Sequence, residues 1–371
     1  IIEKHPAHDV MFYNVMRAAS EQGKSLPDIF GPQEAALPAA LVMRSHRVNR
    51  ILAVSKPVAE ELRFLGPAFQ KRPIDLVYNG IGATKISVEV KNEAHKRLEE
   101  YARRLLGWRP DYVFTHVARP VISKAFWRDL QVMAELDPKL VAAGQRAVLF
   151  LLASATLPRQ PAEVAKMEKD HDWPLQHQKG YPDLVGPEVA IDRAVKAFNR
   201  KAKASCAVFI NQFGWSRALC GSRMPTAMLE TDIRRGSDVE FGLSAYEPFG
   251  IAQIEPLPFG TLCAISATCG CRGFVEQVDV KHELPTLYAK EYALPQRNMS
   301  LNKLTKMTAR EAVDVEKDVA AQLADELFAA LPRSDKDRKR YLMLGYRYAR
   351  QMSWDVVVRD MFLPAIKECL G

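Results

Sequence analysis

Short runs of β-branched and aromatic residues alternate with longer helical patterns over most of this 371-residue chain. The runs lie at Ile51 to Val54, Ile74 to Tyr78, Tyr112 to Val117, Ala147 to Leu152, Cys206 to Asn211, Val239 to Gly242 and Leu262 to Ser266. Strands that alternate with helices favour parallel pairing through crossover helices. The predicted fold class is therefore α/β.

Helical patterns separate most of these strands. They cover Pro57 to Leu65, Val88 to Leu106, Lys124 to Glu135, Glu188 to Lys203 and Pro225 to Arg235. Ser55 and Gly107 stand where an N-cap and a C-cap are expected. After Thr308 the pattern predicts three helices without strands, near Ala309 to Ala330, Asp337 to Arg350 and Trp354 to Cys369. The polar stretch Leu157 to Val185 predicts a long irregular surface insertion.

The predicted strands are unevenly distributed. Residues 111 to 300 hold most of them, whereas residues 1 to 108 hold two. An open parallel sheet of about five to six strands needs more chain than that first part offers. The sequence also begins with Ile1 rather than Met. We therefore expect either an unusually small first domain or one whose leading half lies outside this chain.

Composition excludes several classes of function. The formal charge of +8 is spread thinly, and the aromatic residues do not interleave with basic ones, so no nucleic-acid partner is expected. Six irregularly spaced cysteines favour a reducing, cytoplasmic location over a disulfide framework. The sequence predicts no transmembrane segment, because no apolar run approaches the ~18 to 20 residues that a span needs. Homo-oligomerisation stays open.

The segment from Ser244 to Glu255 carries the most chemical information. It reads Ser-Ala-Tyr-Glu-Pro-Phe-Gly-Ile-Ala-Gln-Ile-Glu, follows a predicted strand and should open a helix near Gly250. Glu247 and Glu255 would then flank a helix N-terminus whose free N–H groups can hold an anion. Two glutamates at this spacing are more often solvated surface, but the end of a parallel strand favours a functional role.

A second segment, Thr115-His116-Val117-Ala118-Arg119, ends another predicted strand, and Lys124 opens the next helical pattern. Both cations would lie at the carboxyl edge of the sheet. Two fixed positive charges there suit a diphosphate leaving group, whose developing negative charge they would neutralise. Two unrelated surface cations are the alternative interpretation.

Together, the two segments resemble the donor-binding domain of retaining GT-B glycosyltransferases, most closely the glycogen and starch synthase type. Supporting segments occur in the family's order: Val54 to Leu62, Val77 to Ile81 at the interdomain link, Asp238 to Glu240, and Met352 to Asp355 in a closing helix. The resemblance spans roughly residues 50 to 370. Only the combination of segments is specific.

The resemblance implies a GT-B architecture with two Rossmann-like domains and C-terminal helices. Residues 1–108 would be the trailing part of an incomplete acceptor-side domain, and residues 109–305 the nucleotide-sugar donor-binding domain. Residues 306–371 would form a helical segment that crosses back to the first domain.

The resemblance also implies a role for each matching residue. Arg119 and Lys124 would bind the donor diphosphate and Glu247 would lie near the transferred sugar, which makes these three the predicted catalytic residues. The predicted donor-binding residues are Glu255 at the ribose hydroxyls, the backbone around Phe249, Gly250 and Ile251 at the phosphates, and His116. A packed strand histidine is the alternative for His116.

The implied activity is retaining transfer of a hexose from a nucleotide sugar to a saccharide hydroxyl, with glucose as the first candidate for the hexose. No metal or other cofactor is expected, because protein cations and a helix dipole take the metal's place. The expected partners are thus a nucleotide sugar and a saccharide acceptor. A non-catalytic sugar-nucleotide or glycan-binding subunit with a degraded first domain is the alternative.

The chain departs from the family pattern at several positions. Ala125 stands where the family commonly has Gly, and Thr268 to Cys271 replaces a Gly-Gly loop. Pro256 and Pro258 follow Glu255, so the helix there must be short or kinked. The family's histidine that faces the transferred sugar has no secure match. His8 is a candidate substitute, with an ordinary helix-start histidine as the alternative.

Overall fold

The computed structural model describes residues 12–31, 42, 44, 47–284, 287–292, 300–302 and 309–370. Its strands are β1 Ile51–Ala53, β2 Ile74–Leu76, β3 Tyr112–Val117, β4 Ala147–Leu152, β5 Ser205–Ile210, β6 Val239–Gly242, β7 Leu262–Ser266 and β8 Leu287–Lys290. Each predicted strand is present, and the bounds of β3, β4, β6 and β7 are those predicted. The α/β class is therefore confirmed.

Helices connect and cover these strands. The longer ones are Phe12–Glu21, Lys56–Phe64, Val88–Leu106, Phe126–Ala143, Pro161–His171, Glu188–Asn199, Cys271–Val278, Ala309–Ala330, Asp335–Gln351 and Leu363–Leu370. Short helices lie at Leu26–Phe30, Pro67–Gln70, Arg217–Cys220, Asp232–Arg235, Ile251–Ile254 and Trp354–Val357, with 3-10 turns at Ile122–Lys124 and Leu257–Phe259 and a π turn at Val358–Phe362. No described helix is long and apolar enough to cross a membrane.

Six parallel strands form the main sheet in the spatial order β5-β4-β3-β6-β7-β8. Numbered by their occurrence along the chain within this sheet, the order is the 3-2-1-4-5-6 arrangement of doubly wound folds. The order reverses between β3 and β6, where Thr115 pairs with Glu240. Ligands of such sheets bind in the crevice at the carboxyl ends of the strands at this reversal.

Buried apolar side chains on both faces explain why the strands read as continuous hydrophobic runs. All six residues of β4 are buried. Leu149 and Leu151 pack into the core on one face, whereas Val148 and Phe150 pack into the core on the other. Each face is covered by helices, so the sheet is a stable platform for the loops at its edge.

A second, two-stranded parallel sheet pairs β1 with β2. Ile51 and Phe64 belong to its core, together with Val15 on the helix Phe12–Glu21. The C-terminal segment contacts the chain that follows this sheet, because the N–H of Ile81 donates to the carbonyl of Met352 at 2.9 Å. The domain boundaries at 108–109 and 305–306 stay predictions.

Several sequence expectations are wrong in detail. The stretch Leu157 to Val185 is not wholly irregular, because it contains the helix Pro161–His171. The helix expected over Pro225 to Arg235 is reduced to Asp232–Arg235. The helix expected from Lys124 begins at Phe126 instead, after the 3-10 turn Ile122–Lys124.

Candidate active site

The two segments singled out in the sequence meet at the point where the sheet order reverses. The N–H of Ala245, after β6, donates to the carbonyl of Ser123, after β3, at 2.7 Å. Beside this bond, Lys124 forms an ion pair with Glu247, and both side chains are mostly buried. The structure thus brings two of the three predicted catalytic residues into direct contact.

The carbonyl of Ser244 fixes the start of the segment that carries Glu247. It accepts hydrogen bonds from Arg128 Nη1 at 3.0 Å, from Ser266 Oγ at 2.6 Å and from Thr268 Oγ1 at 3.1 Å. Three donors converge on one oxygen, so the chain leaves β6 in a single direction.

Glycine is required where this segment turns toward its helix. Gly250 has φ 91° and ψ 58°, in the left-handed region, and a Cβ there would clash with the side chain of Gln253. The helix Ile251–Ile254 has only four residues and ends before Pro256, so the expectation of a short helix is confirmed.

The backbone at this turn offers free donors. The N–H groups of Phe249, Gly250 and Ile251 donate to no acceptor among the described residues. The Phe249 side chain is buried, whereas that of Ile251 is exposed. Any anion held here would therefore be bound by main-chain N–H groups rather than by these side chains.

Arg119 and Lys124 differ in their surroundings. Arg119 is exposed, and its guanidinium has no hydrogen-bond or ion-pair partner within the described ranges. Burial lowers the pKa of Lys124, and the positive charge of Arg119 acts in the same direction. The like charge of Arg119 therefore acts on Lys124.

Ala125 directly follows Lys124 and has a left-handed backbone with φ 52° and ψ 44°. This conformation explains why glycine suits the position, since an L side chain is strained there. The Ala125 side chain is fully buried.

Glu255 is held by a neighbour that the sequence did not indicate. Its Oε2 lies 3.3 Å from Nη2 of Arg234, and Nη1 of Arg234 lies 2.9 Å from Oε1 of Glu240. Glu255 is about half exposed, at 47%, so its carboxylate can still reach a ligand.

His116 is buried, with 1% of its surface exposed. Its Nδ1 lies 2.5 Å from Oδ2 of Asp129, and its ring packs on Phe126 at 4.5 Å between centroids. Burial raises the pKa of Asp129, whereas the contact with His116 opposes that shift. This environment favours the packed-histidine interpretation over a direct donor contact.

Arg128 is a site-forming residue that sequence reasoning missed. It is buried, donates to the carbonyl of Leu243 at 3.0 Å as well as to that of Ser244, and pairs with Glu316 at 2.5 Å. The sequence carries no signal stronger than an Arg next to an Asp in a first helical turn.

Other candidates have simpler outcomes. His8 lies outside the described residues. Cys269 and Cys271 are buried free thiols. In the described part of the chain, no group of three His, Cys, Asp or Glu side chains could hold a metal ion. The expectation that no metal is needed stays a prediction.

Solved structures are similar to this chain over most of its length. A UDP-forming α,α-trehalose-phosphate synthase from Burkholderia xenovorans has a TM-score of 0.52 at 13% identity, over 90% of this chain and 64% of its own. A trehalose-6-phosphate synthase studied for glycosyl transfer with retention has a TM-score of 0.51 at 13% sequence identity, and the match covers 93% of this chain and 66% of the synthase. A glycosyltransferase from Rickettsia africae has a TM-score of 0.50 at 11% sequence identity, and the match covers 90% of this chain and 68% of that enzyme.

No family model matches the chain, and no curated protein matches it. The structural likeness establishes the fold: the chain has the GT-B fold, as predicted. The chain spans 64% of the length of the Burkholderia synthase.

Proposed function

We propose that this protein is a retaining glycosyltransferase that moves a hexose, glucose in the first instance, from a nucleotide sugar to a saccharide hydroxyl. The contact between Lys124 and Glu247 at the reversal of the sheet order carries the proposal. It joins the cation that would bind the diphosphate to a carboxylate, at the place where doubly wound folds bind nucleotides. The GT-B structures similar to this chain support the same reaction class.

The donor diphosphate would bind between Arg119, Lys124 and the free N–H groups from Phe249 to Ile251. As the bond between the sugar and the phosphate breaks, negative charge develops on the leaving group. Fixed cations and backbone donors stabilise that charge without reorganisation. A resident metal ion is not part of this proposal, because the protein cations take that role.

Glu247 would lie beside the transferred sugar. Its carboxylate pairs with Lys124, so the diphosphate would have to displace it from that cation. The acceptor hydroxyl would attack from the face that the phosphate leaves and pass its proton to the leaving phosphate oxygen. Attack on that face retains the anomeric configuration, as reported for the similar trehalose-6-phosphate synthase.

Glu255 would accept hydrogen bonds from the ribose hydroxyls. Carboxylate oxygens are strong acceptors for paired hydroxyl donors. UDP is the first nucleotide to test, since the similar Burkholderia enzyme is UDP-forming. We also propose a cytoplasmic location, based on the free cysteines among the described residues.

Isothermal titration of the chain with UDP, ADP and GDP tests the proposal. We expect at least one to bind, and Lys124→Ala to weaken that binding by about tenfold or more, since a charge-assisted contact is lost. Lys336→Ala, at an exposed lysine of the helix Asp335–Gln351, is the matched control and should bind as the wild type does. Failure of all three nucleotides to bind, or unchanged binding by Lys124→Ala, would overturn the assignment.

A further inference from the structure

We propose that Arg234 is a positioning residue that holds Glu255 in place for the nucleotide ribose by tying it to the buried Glu240. This inference rests on the proposed function, because it assumes that Glu255 meets the ribose. It adds a residue that neither the sequence motifs nor the family resemblance assigned.

Glu240 supplies the fixed end of the arrangement. It lies in the central strand β6 and is fully buried. Its Oε2 accepts from Thr115 Oγ1 at 2.5 Å, and its Oε1 accepts from the N–H of Val117 at 3.1 Å. A buried carboxylate is costly unless it is paired and hydrogen-bonded, so these contacts lock Glu240 to β3.

Arg234 bridges from this anchor to the site. Its side chain is 13% exposed, and it stands in the short helix Asp232–Arg235 next to β6. One terminal nitrogen lies 2.9 Å from Glu240 and the other lies 3.3 Å from Glu255. Both contacts are ion pairs, because Nη1 of Arg234 makes no hydrogen bond among the described residues. Since the guanidinium is planar, pairing with both carboxylates restrains the position of one relative to the other.

The bridge also determines which oxygen of Glu255 is available. Arg234 lies against Oε2 of Glu255. The carboxylate is about half exposed, so Oε1 remains for hydroxyl donors. Without Arg234, a partly exposed glutamate would sample several rotamers, and fixing one of them on binding would lower the affinity.

Loss of ribose discrimination is the readout that separates positioning from general stability. The dissociation constant is measured by titration calorimetry for the nucleoside diphosphate that binds and for its 2′-deoxy and 3′-deoxy analogues. We expect the wild type to bind at least one analogue about tenfold more weakly, the effect of a lost charge-assisted hydrogen bond. The ratio of the analogue's dissociation constant to that of the parent nucleotide measures the discrimination. Glu255→Gln and Arg234→Met should both reduce this ratio to about twofold or less.

Arg234→Met leaves Glu240 buried without its cation and could unfold the chain. The double variant Arg234→Met/Glu240→Gln removes both charges, so the same ratio of dissociation constants can be measured in a chain without an unpaired buried carboxylate. Arg97→Met is the matched control, since Arg97 pairs with Asp232 of the same short helix at 2.6 Å but has no contact with Glu255. It should keep the wild-type ratio.

The outcomes separate the two ideas. If the wild type binds no nucleotide, or ignores the ribose hydroxyls, then the proposed role of Glu255 fails and the inference fails with it. If the wild type discriminates and Glu255→Gln does not, but a folded Arg234 variant still does, then only the role of Arg234 is wrong. Joint loss of discrimination in Glu255→Gln and the Arg234 variants supports the inference.

Discussion

The hydroxyl of Tyr246 donates a hydrogen bond to Oε2 of Glu61 at 2.5 Å. Glu61 lies on the helix Lys56–Phe64, beside the two-stranded sheet, and Tyr246 precedes Glu247. On the other side of Glu247, the carbonyl of Pro248 accepts from Ser55 Oγ at 2.5 Å. The residues that flank Glu247 are therefore both held by the region around β1, outside the six-stranded sheet.

Tyr246→Phe should slow donor turnover without abolishing it. The variant keeps the ring and removes one hydrogen bond to a carboxylate, so the segment around Glu247 becomes less well positioned. We expect the rate of donor hydrolysis to fall by about three- to tenfold. Tyr181→Phe removes an exposed bond to Glu163 of the same kind and serves as control. Equal rates in Tyr246→Phe and the wild type would contradict a positioning role.

Ala125→Gly should stabilise the protein. Ala125 has a left-handed backbone in which glycine is not strained, although glycine also gains entropy in the unfolded chain. We expect the free energy of unfolding to rise by about 0.5 to 1 kcal/mol in denaturant titrations. Ala147→Gly, at an equally buried position in β4, should lower it by about 1 kcal/mol. A loss of stability in Ala125→Gly would show that the Cβ packing outweighs the strain.

Much of the main sheet could be predicted from the sequence, because its buried strands are long apolar runs. β8 was missed because Leu287–Lys290 is short and only partly buried, so it carries no strong pattern. The helix Pro161–His171 was missed for a similar reason, since among its residues only Val164 and Met167 are buried.

The candidate site was predictable only in its motif residues. Glu247 and Lys124 stand out because charged residues at the ends of parallel strands are informative. Arg234 and Arg128 were not predicted, because each acts on a carboxylate or carbonyl that is distant in sequence. Such partners depend on tertiary packing, which no local pattern encodes.

Glu247→Gln should separate nucleotide binding from turnover. The carboxylate competes with diphosphate for Lys124, so its removal should tighten nucleotide binding by about three- to tenfold. Donor hydrolysis should fall by at least about tenfold, since a charge beside the sugar is lost. Glu276→Gln, at an exposed glutamate that pairs with Arg272, is the control. Weaker nucleotide binding by Glu247→Gln would argue against this competition.

Lys91 is a buried lysine of the helix Val88–Leu106, and its side chain reaches the chain just before β6, at the amino end of that strand. Its Nζ donates to the carbonyl of Ser237 at 3.0 Å, and burial lowers its pKa from 10.5 to about 8. Below pH 8 the folded state therefore carries the cost of a buried charge. Between pH 8 and 10.5 the unfolded chain binds more protons than the folded chain, so this residue's contribution to stability rises with pH.

A comparison with Lys91→Met isolates this effect from other titrations. We expect the stability of the wild type relative to the variant to increase by about 2 to 3 kcal/mol between about pH 7 and pH 10, measured by denaturant unfolding. Lys96→Met, at an exposed lysine of the same helix, should show a much smaller change. A relative stability that stays flat or falls with pH would contradict the burial of a charged Lys91.

The anomeric form of the hexose first released from a nucleotide sugar tests the central claim most directly. The full chain is incubated with UDP-glucose, ADP-glucose and GDP-glucose, and the products are followed by proton NMR before mutarotation. The account predicts that at least one donor gives α-glucose and the nucleoside diphosphate, at a rate that Lys124→Ala lowers by at least about tenfold. Release of β-glucose first, or no release from any donor by the folded protein, would contradict it.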